Sequence, residues 1–183
     1  MSLVHVEWPK FMNLFRDNIK WIFISILFIS TYGFSKPLGQ FEKIHKWDNN
    51  IDSLYVKCKN GNSVSCVDLG FLYEKGQGVK ADQSEAVKFY KKSCQGNNAR
   101  GCYNLGVMYH FGKGVKRDYP MAAELYRQAC NGQYVWGCSN LGAMYAKGLG
   151  VEDSSVKAKN IFSIACGLGD DIACTNYKML ANE

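Results

Sequence analysis

Eight cysteines are the residues of this chain whose types and spacing point most directly to chemistry. Cys58, Cys94, Cys130 and Cys166 stand 36 residues apart, and Cys66, Cys102, Cys138 and Cys174 repeat the same step, so every pair reads C-x7-C. Thiols at regular spacing either hold a metal or oxidise in pairs. Structural zinc sites use closer cysteine pairs or add histidine. No CxxC occurs, and His45 and His110 fall at unrelated positions of the repeat. The even count in a small chain indicates disulfides and an oxidising compartment. Neither a metal nor a cofactor is expected. The first cysteine of a pair ends one unit's second helix and the second enters the next unit's first helix. Only a local scheme repeats identically along the chain: Cys58–Cys66, Cys94–Cys102, Cys130–Cys138 and Cys166–Cys174.

Catalytic groups are harder to find. One S-x-x-K is present, Ser154 to Lys157. A serine acyl-transfer site of that type also needs S-D-N and K-T-G partners, and the sequence has neither. The equivalent places in the other units hold Asp82 to Glu85 and Asp118 to Met121, so Ser154 reads as a helix N-cap. No Ser-His-Asp set can be assembled from the histidines present. The recurring G-x-G-V (Gly76, Gly78, Val79 and their counterparts) lacks the Lys-Ser/Thr ending of a phosphate loop and lies between helices. It reads as a helix C-cap. No catalytic residue is nominated.

Recognition chemistry is more visible. Asp68, Asn104 and Asn140 stand immediately before a Leu-Gly pair in successive units, and Asn176 holds the same place in the end-piece. An asparagine amide offers both donor and acceptor. One such group per unit, with Tyr103 alongside, suits the backbone of an extended peptide. The alternative is a local bond to the helix or a neighbour. Tyr103, Met108, His110, Phe111, Tyr134 and Trp136 vary between units, as positions giving a groove its selectivity would; Met108 also fits a core position.

The elements that position these residues follow from the period. At 183 residues the chain has room for one domain, and its 47% hydrophobic content is that of a globular protein. The net charge of +6 is scattered without a dense basic block, so nucleic acid is not an expected partner. Residues 1–35 read as an export signal: Lys10, Arg16 and Lys20 precede an uncharged run from Trp21 to Phe34. The start at Met12 gives a more ordinary leader, and an uncleaved anchor is the alternative to cleavage before Lys36. No membrane span is expected after removal of the signal. Residues 36–45 are a linker. A half-unit at 46–63 begins an array continued by units at 64–99, 100–135 and 136–171 and ended by a half-unit cap at 172–183.

In each unit the first helix carries C-x-x-L-G-x-x-Y, for example Cys102, Leu105, Gly106 and Tyr109. Those spacings place the four residues on one helical face. A mid-helix glycine costs about 1 kcal/mol relative to alanine. Its recurrence at Gly70, Gly106 and Gly142 implies a second helix packed too closely for a Cβ. The second helix begins at Asp82, Asp118 or one of Asp153, Ser154 and Ser155. It then carries Ala86, Ala122 or Ala158 with Tyr90, Tyr126 or Phe162 four residues on.

These motifs resemble the Sel-like repeat, a relative of the tetratricopeptide repeat, over residues 46–183. The added C-x7-C is similar to the Helicobacter cysteine-rich protein family of secreted Sel-like repeat proteins. The resemblance implies an all-α fold: a right-handed α-solenoid of αα-hairpins stapled by one disulfide per repeat. It also implies a concave surface that uses Asn to hold peptides. Members of that family carry an assignment of penicillin binding and weak β-lactamase activity. The leading expectation is a secreted or periplasmic bacterial scaffold binding a protein or peptide of the cell envelope or host. The alternative is a β-lactam hydrolase acting on cell-wall peptide or β-lactam, and a third reading is a structural spacer. Mass mapping of nonreduced peptides should recover four bridges, each spanning the nine residues of one C-x7-C; bridges such as Cys66 to Cys94 would overturn the local scheme.

Overall fold

The computed structural model describes residues 51–182. The proposed leader, the linker and the start of the first half-unit lie outside the described residues. Eight helices and no strand occur among the described residues. They are α1 (51–59), α2 (Ser63–Lys75), α3 (Gln83–Gln95), α4 (Ala99–Phe111), α5 (Tyr119–Asn131), α6 (Val135–Lys147), α7 (Ser155–Gly167) and α8 (Asp171–Ala181). From α2 onward each packs on its chain neighbours, α1 joins α2 through Cys58 and the cluster around Leu69, and the first helices of successive units, α2, α4 and α6, also touch side by side. The architecture is an α-solenoid of helical hairpins.

Helix ends are set by side chains already visible in the sequence. Asp82 Oδ1 accepts the backbone N–H groups of Ser84 and Glu85 at 2.8 and 3.0 Å, and Asp118 accepts that of Met121. Ser154 caps α7 by accepting the Lys157 N–H. Such caps contribute about 1 kcal/mol each. At the other end of the first helices, Gly76, Gly112 and Gly148 take the left-handed conformation at φ 67°, 67° and 61°. Their N–H groups return to carbonyls near the helix end, satisfying acceptors that a helix terminus leaves open.

Within a hairpin, the mid-helix glycine meets an aromatic ring. A Cβ on Gly70 would lie 2.5 Å from the Tyr90 ring; on Gly106, 2.8 Å from Tyr126; on Gly142, 2.8 Å from Phe162. Tyr90 and Tyr126 are fully buried, so neither ring has room to withdraw. Between hairpins a different glycine works. Gly114 and Gly150 lie against the backbone at the start of the preceding unit's second helix, Gln83 in one case and Tyr119–Pro120 in the other. Val115 and Val151, which follow them, pack onto the core.

Disulfides close the remaining joints. Cys58–Cys66, Cys94–Cys102, Cys130–Cys138 and Cys166–Cys174 are bonded, with Cα–Cα separations of 4.8, 4.4, 4.5 and 4.6 Å. Each joins the end of one second helix to the start of the next first helix. Closing a nine-residue loop contributes about 2.5 kcal/mol on chain-entropy grounds. Each loop also holds one residue in the left-handed region: Gly61, Asn97, Gln133 and Gly169.

The ring contacts generate a sharp contrast. Gly106→Ala should lower the unfolding free energy by about 1–3 kcal/mol, because the added methyl overpacks against Tyr126 and outweighs the gain in helix propensity. Gly167→Ala, where a Cβ meets nothing within 4 Å, should be neutral or stabilising by up to about 1 kcal/mol. Urea denaturation of the oxidised proteins measures both.

Candidate binding groove

The first helices carry the asparagine ladder, and the structure divides it between two recesses. The larger, of about 470 Å³, includes Tyr103, Trp136, Asn140, Asp170, Asp171 and Asn176 in its lining. The smaller, of about 240 Å³, is lined among others by Glu74, Lys75, Arg100, Tyr103, Asn104 and Trp136. Tyr103 and Trp136 belong to both and separate them. Asp68 lines neither. Its carboxylate lies 3.8 Å from the Arg100 guanidinium, with both groups nearly half exposed. The ladder is therefore two asparagines in one recess, one in the next, and an aspartate paired at the rim.

Local packing explains why the partition between the recesses is aromatic. Tyr134 stands at the N-cap of α6 and makes no side-chain cap bond, unlike Asn62 and Asn98 at the equivalent places. Its ring instead packs against Tyr103 and Trp136, at centroid distances of 5.1 and 5.5 Å, and Tyr103 lies 6.1 Å from Trp136. Trp136 is 57% exposed. A rigid, half-exposed aromatic cluster of this kind gives large contact area at low entropic cost.

The asparagines are open for use. The side-chain hydrogen bonds at α4 and α6 that meet full geometry go through Asn98, Ser139 and Tyr145; among the described residues none engages Asn104 or Asn140. Asn140 nevertheless lies close to two phenols. Burial pushes the Tyr103 and Tyr126 hydroxyls up, Tyr103 adds to the shift at Tyr126, and the Asn140 amide pulls both part of the way back. Even so, the buried Tyr126 hydroxyl has no well-formed partner.

A repeat comparison shows how that position was built. In the first unit the Tyr90 hydroxyl donates to Glu74 at 2.7 Å. Burial raises the Glu74 carboxyl, but the bonds from Lys75 and Tyr90 outweigh it and hold the group below the usual carboxylate range. In the second unit, 36 residues on, the corresponding residues are Tyr126 and His110, and both the hydroxyl and the imidazole Nδ1 are buried without a partner. In the third they are Phe162 and Ala146, so hydroxyl and partner have both gone.

The remaining residues singled out in the sequence have clear places. Met108 is 1% exposed and belongs to the core, not to the groove. Phe111 is exposed and stacks on His110. Ser154 caps α7, while the Lys157 ammonium lies over the Tyr145 ring, 5.6 Å from its centroid. The two groups of the S-x-x-K are thus engaged apart. No cluster of three or more His, Cys, Asp or Glu suited to a metal occurs among the described residues. The sequence reading missed Arg100, Ser139, Asp170 and Asp171. The signal that finds Asp170 is the 36-residue comparison, where it follows Asn62, Asn98 and Tyr134.

With this geometry in hand, the comparisons are decisive on family. The Sel1 repeat pattern matches residues 63–98, 99–134 and 137–170. The chain belongs to the Sel1 repeat family. Three solved structures are similar to it. A protective antigen of uropathogenic Escherichia coli strains with an SLR fold, c5321, is 32% identical over 67% of this chain and 26% of that one, with a TM-score of 0.65. A Sel1 repeat protein from Oxalobacter formigenes is 25% identical over 66% and 49%, with a TM-score of 0.64. Helicobacter pylori cysteine rich protein B is 28% identical over 72% of this chain and 95% of that one, with a TM-score of 0.58. The chain thus spans about a quarter of the first protein and half of the second. No curated protein matches the chain. Among the described residues no helix is long and apolar enough to cross a membrane.

The His110 environment sets a pH dependence. Burial lowers the imidazole below its ordinary range, and the charges of Lys147 and Arg117 lower it further. A group depressed on folding contributes stability above its unfolded pKa, about 6.5, and loses it as pH falls through the folded value. Unfolding free energy should therefore decline as pH drops below about 6.5. His110→Phe should flatten that part of the profile. The Glu74 component, lost only below the ordinary carboxylate range near 4.5, should persist in the variant. Urea titrations across the pH range separate the two.

Proposed function

We infer that this Sel1 repeat protein is an interaction scaffold that holds an extended peptide segment of another protein along its first helices. The two recesses joined at Tyr103 and Trp136, with Asn104 in one and Asn140 and Asn176 in the other, carry this reading. An extended strand advances about 3.3 Å per residue. A segment of several residues therefore passes from one recess to the next while the open amides bond its backbone. The concave side of a solenoid is suited to such contacts because it is continuous over several units.

The disulfides support a site of action outside the reducing cytoplasm, in the periplasm or beyond the cell. Residues 1–35, which carry the export pattern, are proposed as the leader, with repeats beginning near residue 46. The ligand is proposed to come from the cell envelope or the host. No observation favours acyl-transfer chemistry at Ser154, whose hydroxyl is a helix cap.

Replacing both Asn104 and Asn140 with Ala should weaken peptide binding by about 10-fold or more, as loss of two hydrogen bonds contributing roughly 1 kcal/mol each requires. The melting temperature should stay nearly unchanged, since Asn104 has no side-chain bond within the chain and Asn140 has only loose contacts with the Tyr103 and Tyr126 hydroxyls. Fluorescence anisotropy with a peptide selected on the native protein, alongside thermal denaturation, tests this. Unfolding of the double variant would assign the asparagines a structural role instead.

A further inference from the structure

The two recesses differ in charge, and that difference specifies what the peptide must carry. The chain as a whole is basic, with a net charge of +6. The larger recess runs against that sign: its lining holds Asp170 and Asp171 and no lysine or arginine. In the smaller one charge is matched: Lys75 pairs with Glu74, which also accepts from Tyr90, and Arg100 lies 3.8 Å from the Asp68 carboxylate. A ligand crossing both therefore meets paired charges on one side of Trp136 and carboxylates with no basic side chain beside them on the other.

The two aspartates are not equivalent. Asp170 caps α8: one oxygen accepts the Ile172 and Ala173 N–H groups, and the other accepts the Ser139 hydroxyl. The Ser139 bond, outweighing burial, and then the backbone bonds hold its carboxyl below the usual range, so it remains ionised. Asp171, exposed in the first turn of α8, carries the second charge. The other walls are aromatic and apolar: Tyr103, Trp136 and Phe162, with Ile172 exposed at the edge. Aromatic faces attract cations and also cover the methylene stem of a long basic side chain.

We propose that the recess between α6 and α8 takes a lysine or arginine side chain of a partner protein, presented on an extended peptide segment with an apolar residue beside it against Trp136. This rests on the peptide-binding reading above and adds direction to it. The basic residue lies toward α8, because the recess on the other side of Trp136 has its carboxylate already paired with Lys75. Charge complementarity of this kind fixes register and discriminates between partners more than it adds bulk affinity.

The test uses the oxidised full chain and a positional-scanning library of capped hexapeptides, acetylated and amidated so that their termini carry no charge. The native protein should retain peptides with Lys or Arg enriched at one position next to an apolar one. Asp170→Asn/Asp171→Asn should lose that enrichment, and its affinity for a selected basic peptide should fall about 10-fold or more, as expected for a charge-assisted bond. The apolar preference should remain. The variant keeps its helix cap, because asparagine already caps the equivalent helices at Asn62 and Asn98; an unchanged melting curve verifies this. Peptides retained in an Asn140-dependent manner with no basic preference, or with one unaffected by the double variant, would overturn the inference and leave the scaffold reading intact. Retention of no peptide by the native protein would overturn both.

Discussion

A pair of 13-residue helices cannot bury enough apolar surface to hold itself together. Everything else in this structure follows from the need to make each joint of the array tight. Two kinds of joint exist and each has its own device. Inside a hairpin, a glycine lets the first helix close onto a buried ring, so that dispersion contacts replace what a larger core would supply. Between hairpins, a disulfide fixes the short loop, and the residue before its second cysteine is small and buried: Ser65, Gly101, Gly137 and Ala173. A Cβ at Gly137 would lie 2.6 Å from Ala129 of the preceding helix. The sulfur clamp and the close approach are therefore parts of one joint, and neither is useful without the other.

The same constraint decided what could be read from the chain. Gly70, Gly106 and Gly142 announce close packing because they recur at a position where glycine is costly, and their ring partners recur with them. The caps at Asp82, Asp118 and Ser154 are local and equally legible. The left-handed residue in each clamped loop was not. Gly61 and Gly169 mark it, but Asn97 and Gln133 occupy the same place, and glutamine there gives no hint of a positive φ. Tertiary closure of the loop overrides the preference of the residue. Met108 left two readings open because it varies between units; it lies in the core, where an unbranched thioether fills whatever gap its neighbours leave.

The candidate groove was half legible. A ladder of Asp68, Asn104, Asn140 and Asn176 follows from the period alone. Its division into two recesses does not, because that depends on Tyr134 turning from a cap into a packing residue beside Tyr103 and Trp136. Arg100 was missed because the other units carry Val64, Trp136 and Ile172 there, and Asp170 because it stands in line with the neutral caps Asn62 and Asn98. Periodicity shows what the units share, whereas selectivity depends on where they differ.

The hydroxyl series across the units shows how such differences are kept affordable. Removing both members of a buried polar pair together is nearly neutral, while removing one strands the other. The third unit has lost both, with Phe162 and Ala146, and the first retains both, bonded, in Tyr90 and Glu74. The second keeps two polar groups but not the bond between them, at Tyr126 and His110. Tyr126 lies under Tyr103, at a ring distance of 5.9 Å, and so directly behind the partition between the recesses. A buried tyrosine ring thus supports the exposed aromatic surface of the groove. A core tightened at every joint by rings and sulfur can change its polar partners from unit to unit, and the exposed face differs while the backbone beneath it repeats.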